Sequence, residues 1–258
     1  MAATFRTAPK TALVTGGARR IGRAIAIDLA RMGFTVAIHC RSSRAAADAL
    51  AAEIENDGGH AAVFEADLAS TRETETMFGS VISRLGPVGL LVNNASTFRE
   101  DELLHFDWES WDRHFAVHVK APVLLSRLVA EALPVPSSGL IVNMIDQRVW
   151  KLTPRFFTYT LSKSTLWTAT QTMAQALAPR IRVNAIGPGP TLLGERQSAA
   201  DFDAQVEGLI LKRATDLSEF GATIAYLWNA ASVTGQMIAL DGGQHLAWET
   251  PDIMGIRE

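Results

Sequence analysis

Tyr159 and Lys163 stand four residues apart in a stretch of helical periodicity, so both side chains leave the same face of one helix. A lysine charge beside a phenol favours the tyrosinate. That lowers a pKa that starts at about 10 and makes the phenol a usable acid at neutral pH. Tyr-x-x-x-Lys alone is far more often a surface pair, and it acquires meaning only from what accompanies it.

The first companion is a glycine turn, KTALVTGGARRIG at residues 10–22. Ala12, Leu13 and Val14 read as a short buried strand, Gly16 and Gly17 permit a sharp reversal, and Ile21, Ala24, Ile25, Ile27 and Leu29 give an apolar helix face. The amides that open such a helix face an anion. The spacing is T-G-x-x-x-x-x-G, with Arg20 where the middle glycine of the common dinucleotide fingerprint would sit. About 20 residues further on, NAD calls for an acid at the ribose hydroxyl and NADP for a cation at the 2′-phosphate. Residues 39–44 read HCRSSR, which offer Arg41, Ser42 and Ser43 and no carboxylate. The expected cofactor is NADP.

Other chemistries have less to stand on. His114 and His118 share a helix face at a zinc-like i, i+4 spacing, but the glutamate of H-E-x-x-H is missing and no Cys/His partner is near. No G-x-S-x-G elbow is present for a serine hydrolase. The net charge of −3 without a basic block gives no support to nucleic-acid or anionic-membrane partners. Cys40 is the only cysteine, the start MAATFRTAPK lacks an apolar core of signal-peptide length, and no apolar run approaches the roughly 20 residues that span a bilayer. A cytoplasmic protein with a small-molecule substrate is expected, and 258 residues suit a single domain.

Strands and helices must hold these residues together. Strands are expected at 12–14, 34–39, 61–65, 88–92, 140–145, 181–186 and 236–240. Helices are expected at 42–56, 70–85 and 216–229, with two long ones at 108–133 and 154–178. Strict alternation predicts an α/β fold, one doubly wound parallel sheet of seven strands with helices on both faces and ligands beyond the strand C-termini. The segments 15–22, 39–44, 93–98 and 187–191, with Asp146, all follow strands. Residues 190–215 mix charges and short apolar clusters, as a loop with a small helix forming a lid over the substrate would.

The chain resembles the short-chain dehydrogenase/reductase family along nearly its whole length. TGGARRIG, Asp67, NNAS at 93–96, YTLSK at 159–163, RVNAIGPGP at 182–190 and TGQMIALDGG at 234–243 appear in family order. The resemblance implies that Tyr159 is the general acid, that Lys163 orders the ribose and lowers the phenol pKa, that Asp67 contacts adenine and that Asn93 lies beneath the cofactor. The implied cofactor site comprises Gly16, Arg19, Arg20, Ile21, Gly22, Arg41, Ser42, Ser43, Asp67, Leu68, Asn93, Ala95, Lys163, Pro188 and Gly189. The family commonly packs its two long helices against neighbours, which implies a homotetramer.

Two positions depart from the usual pattern. Asp146 stands where the family places a serine, 13 residues before the tyrosine, and His118 stands where it places an asparagine. Aspartate there is similar to the pteridine reductase branch, which Arg20, Ser96 and Phe98 also resemble. The resulting expectation is an NADPH-dependent reductase of a dihydropterin held by Arg20, Ser96, Phe98, Asp146 and Tyr159, with Tyr159, Lys163 and Asp146 catalytic. A general carbonyl reductase and a non-catalytic NADP-binding scaffold are the alternatives.

Overall fold

A computed structural model describes residues 8–194, 197–250 and 252. The stretch 1–7, read above for a targeting signal, and residues 195 and 196 of the expected lid lie outside them. Seven parallel strands form one sheet in the order β3-β2-β1-β4-β5-β6-β7. They are β1 Thr11–Val14, β2 Thr35–Cys40, β3 His60–Glu65, β4 Val88–Asn93, β5 Gly139–Met144, β6 Ile181–Pro188 and β7 Met237–Leu240. The helices are α1 Arg20–Arg31, α2 Arg44–Asn56, α3 Thr71–Leu85, α4 Trp108–Phe115, α5 Ala121–Ala132, α6 Phe157–Leu177, α7 Ala199–Glu207 and α8 Ser218–Asn229.

The strands read as continuous apolar runs because helices cover both faces of the sheet. In β1, Ala12 and Val14 pack with Ile25 and Leu29 of α1 and Phe220 of α8, while Leu13 turns to the layer holding Val81 of α3 and Leu125 of α5. The strand order reverses between β1 and β4, and a doubly wound sheet opens its ligand crevice at such a point. Among the described residues no helix is long and apolar enough to cross a membrane.

Two helix boundaries differ from expectation for local reasons. The stretch expected as one helix at 108–133 is interrupted by a π-turn at Ala116–Lys120, which carries His118. Pro122 follows; it has no amide to offer the carbonyl four residues back and its ring crowds that carbonyl, so the wider turn relieves both problems. The helix expected from residue 154 begins at Phe157, because Phe156 takes a left-handed φ of 58°. Among its described residues the expected lid contains one helix, α7, capped by Ser198, whose hydroxyl accepts from the Asp201 amide.

Candidate active site

The glycine turn is tied to the sheet from two sides. Thr15 Oγ1 accepts the amides of Asn94 at 2.9 Å and Ala95 at 3.0 Å, and Asn94 Nδ2 donates to the carbonyls of Thr15 and Gly16. These bonds lock the ends of β1 and β4 together at the switch point. Gly16 has a φ of +61°, and a Cβ there would sit 3.0 Å from the Ala95 backbone. At Gly22 a Cβ would lie 2.3 Å from the Gly16 carbonyl oxygen, so only glycine lets α1 close onto the turn.

His39, at the end of β2, holds the turn from the other side. The Gly16 amide donates to His39 Nδ1 at 3.0 Å and the Gly17 amide to the His39 carbonyl at 2.9 Å. An accepting Nδ1 leaves the ring proton on Nε2, which donates to the Ala66 carbonyl at 3.1 Å. Burial holds this imidazole below its ordinary pKa, so it is neutral at pH 7. Both glycine amides are spent on fixing the turn, and an anion would meet the helix start beyond them, near Arg19, Arg20 and Ile21. Sequence reasoning gave His39 no role, since a histidine ending an apolar strand looks like a satisfied core residue.

The remaining cofactor candidates line the same crevice edge. Arg41 and Ser42 are exposed and Ser43 is half-buried, just past β2; Arg44 is engaged by Asp48 at 2.9 Å. Asp67 and buried Leu68 follow β3. Asp67 accepts from Arg113 Nη1 at 2.7 Å and from the Ala69 amide at 3.0 Å. Burial raises its pKa, but these bonds and the nearby Arg41 charge outweigh that and keep it low. Asn93 Nδ2 donates to Asn143 Oδ1 at 2.8 Å, and its buried Oδ1 has no partner among the described residues. Ala95 lies beside the turn, and Pro188 ends β6, followed by Gly189, whose amide donates to the Leu240 carbonyl. The residue set suits a dinucleotide carrying an extra phosphate: a tight turn opening a helix, an unpaired buried amide oxygen, and an arginine in a segment without carboxylates.

Tyr159, Asp146 and Lys163 converge at the centre. Tyr159 Oη donates to Asp146 Oδ2 at 3.0 Å, and the carboxylate also takes the Arg148 amide at 2.8 Å and Arg148 Nη1 at 2.9 Å. Lys163 Nζ donates to the Met144 carbonyl at 2.7 Å and lies 5.7 Å from the Tyr159 ring centre. Burial brings the lysine down to about 8, with Asp146 opposing, so it is mostly charged at neutral pH.

The phenol departs from the expectation of a lowered pKa. Burial and then the Asp146 carboxylate push Tyr159 well above its ordinary value, against the opposing influences of Arg148 and a Ser96 hydrogen bond. Desolvation and the Asp146 charge both disfavour the tyrosinate, and together they outweigh what favours it. The hydroxyl is therefore fully protonated at neutral pH, the state a proton donor must start from.

Aromatic rings wall this centre. Phe98 stacks on Phe156 with centroids 4.5 Å apart and meets Tyr159 edge-on at 4.8 Å. The guanidinium of Arg148 lies 5.6 Å from the Phe98 ring centre and 5.1 Å from that of Phe156. Arg148 has no sequence signal of its own; it is found only because the 3₁₀ turn 147–149 returns it to Asp146. Arg20, expected beside the substrate, directs its guanidinium to the carbonyls of Leu193 at 3.0 Å and Leu192 at 3.2 Å and so links the glycine turn to the lid segment. Ser96 bonds His118 rather than standing alone in the slot. A cavity of about 420 Å³ opens beside this centre, lined by Arg148, Lys151, Phe156 and Leu209 among others.

A parallel seven-stranded sheet, a glycine turn at its switch point and a Tyr-x-x-x-Lys helix beside it define a nicotinamide-dependent oxidoreductase fold. The short chain dehydrogenase family model matches residues 10–202, and the chain belongs to that family. It is similar to the FolM alternative dihydrofolate reductase 1 of Brucella canis, solved with NADP, at 59% identity over 94% of this chain and 96% of that one, with a TM-score of 0.92. The Brucella suis FolM alternative dihydrofolate reductase 1, also solved with NADP, is 58% identical over 97% and 100% of the two chains, with a TM-score of 0.92. The 3-oxoacyl-[acyl-carrier-protein] reductase FabG of Staphylococcus epidermidis is 31% identical over 242 residues, 92% of this chain and 99% of that protein. The expectation of NADP as cofactor agrees with the NADP held in both FolM structures.

Proposed function

We propose that this oxidoreductase uses NADPH to reduce a dihydropterin to its tetrahydro form, and the observation that carries the reading is the Tyr159 to Asp146 hydrogen bond. Bound NADPH supplies the hydride. Addition of hydride to the carbon of a ring C=N leaves the adjacent nitrogen in need of a proton, which Tyr159 holds at its hydroxyl. Lys163, mostly charged and buried beside the phenol, offsets the negative charge that the oxygen acquires. Asp146 accepts hydrogen bonds, and a pterin presents an amino and ring N–H edge to such an acceptor; a simple ketone has none. Phe98 and Phe156 supply a flat wall for a flat heterocycle. The FolM relatives support this reading, while similarity to FabG keeps a carbonyl substrate as the second one.

Asp146→Ser tests the choice. It is expected to abolish reduction of a dihydropterin while sparing or improving reduction of a small diketone; unchanged pterin turnover in the variant contradicts it.

We further propose one cytoplasmic domain spanning 1–258, with 190–215 as the substrate lid, assembled as a homotetramer. Trp108 of α4, Val123 of α5 and Leu161 of α6 are exposed apolar residues on the two long helical stretches, and a symmetric assembly would cover them. Sedimentation at micromolar protein should give the mass of four chains, and a monomer mass contradicts it.

A further inference from the structure

The buried ring of His39 reaches two separate segments of the candidate cofactor site. Its Nδ1 accepts the Gly16 amide at 3.0 Å, at the start of the glycine turn, and its Nε2 donates to the Ala66 carbonyl at 3.1 Å, just past β3. Ala66 is fixed from its other side as well, because its amide donates to the Cys40 carbonyl at 3.1 Å. Asp67 and Leu68 follow at once, where the adenine is expected. One imidazole therefore ties the phosphate end of the site to its adenine end.

The two bonds from the turn to His39 differ in what they depend on. The Gly17 amide donates to the His39 backbone carbonyl, which any residue at this position would supply. The Gly16 amide donates to the side chain, so that bond exists only while position 39 carries an acceptor at the right depth. Gly16 sits at a φ of +61°, and glycine loses more conformational freedom on being ordered than any other residue. A turn already held in place adds nothing to the ordering cost of binding, whereas a turn that the ligand must order takes that cost out of the affinity.

We propose that His39 is a positioning residue for the dinucleotide. By accepting from Gly16 on one nitrogen and donating to Ala66 with the other, it sets the glycine turn in its binding geometry before the cofactor arrives and fixes that turn relative to the 66–68 segment. The turn serves the part of the molecule that NADP and NAD share, so His39 raises affinity for both, unlike Arg41, which is placed to choose between them. This role holds whichever substrate the enzyme reduces.

The test is calorimetric titration of NADPH and NADH into the full-length protein carrying one of two substitutions, each of which keeps half of the ring's bonding. In His39→Asn the amide oxygen lies where Nδ1 was and still accepts from Gly16, while the donor to Ala66 is lost. In His39→Gln the longer side chain brings its amide to the Nε2 end, keeps the donor to Ala66 and leaves the Gly16 amide without an acceptor. His39→Gln should raise the Kd of NADPH and of NADH alike by about 10-fold, the size of one well-made hydrogen bond. His39→Asn should stay within about threefold of the parent for both cofactors. In turnover, with whichever of dihydrobiopterin and butane-2,3-dione the parent reduces, the His39→Gln loss should fall on the KM for NADPH and spare kcat.

Equal losses in the two variants would overturn the proposal and make His39 a packing residue. A loss confined to NADPH would also overturn it, by placing His39 with Arg41 at the 2′-phosphate. Unchanged or tighter binding in His39→Gln would do the same, since the turn would then hold without the ring or the released Gly16 amide would serve the cofactor better. Where His39→Gln does not fold, His39→Asn still decides, because a loss of about 10-fold with the Gly16 acceptor in place contradicts the assignment.

Discussion

Tyr159 Oη and Asp146 Oδ2 lie 3.0 Å apart, one on α6 and the other just past the end of β5, so the hydrogen bond joins helix to sheet at the proposed substrate site. The phenol owes its high pKa first to burial and then to this carboxylate. On the proposed reading, the pair makes Tyr159 a reluctant acid at rest, one that releases its proton only when a neighbouring atom becomes strongly basic, as a nitrogen would on receiving hydride.

Removing only the hydroxyl isolates that role. Tyr159→Phe keeps the ring against Phe98 and His118, so NADPH binding followed by fluorescence should be unaltered while kcat drops on the order of 100-fold or more. Undiminished turnover would move proton delivery to Asp146.

Cofactor choice should reside at the end of β2. Arg41→Ala should weaken NADPH about 10-fold or more and leave NADH nearly unaffected, because a contact to the 2′-phosphate is charge-assisted. Equal losses for the two cofactors in calorimetric titration, or tighter binding of NADH to the parent protein, contradict the assignment.

Three buried histidines set the response of stability to acid. His39, His114 and His118 are all held below the ordinary imidazole value, in each case chiefly by burial. The unfolded chain therefore binds protons that the folded one refuses as the pH drops below about 6.5, and the folded state loses stability there. Well above about 6.5 the three rings are neutral in both states and contribute no slope. Urea midpoints should fall between pH 7.5 and pH 5.5, where the low-lying Asp67, Asp107 and Asp216 are still ionised. A flat profile over that interval would show that these rings charge freely in the folded protein.

The sheet could be read from the chain because parallel strands buried on both faces leave unbroken apolar runs between helices, and all seven were placed within about two residues. Gly16 and Gly22 were legible for a related reason: a left-handed φ at Gly16 and the close approach of the Gly16 carbonyl at Gly22 both disfavour any side chain. The π-turn under His118 was not legible, since Pro122 signals a disturbed helix without saying which way it is relieved. The work of His39 was also hidden, because tertiary contacts from Gly16 and Ala66 assign it and no pattern in the sequence does. Four-residue spacing put Tyr159 and Lys163 on one face correctly but could not weigh a charge against burial, so the direction of the phenol shift came out reversed. Arg148 and the Arg20 link to the lid both depend on loop paths that local spacing does not encode.

The central claim is most directly tested by stoichiometry. The purified protein, given NADPH and dihydrobiopterin, should oxidise one NADPH for each tetrahydrobiopterin formed, and do so with a higher kcat/KM than for butane-2,3-dione. NADPH oxidation with the diketone and none with the dihydropterin would contradict the account and make the protein a carbonyl reductase; oxidation with neither would leave the scaffold reading in its place.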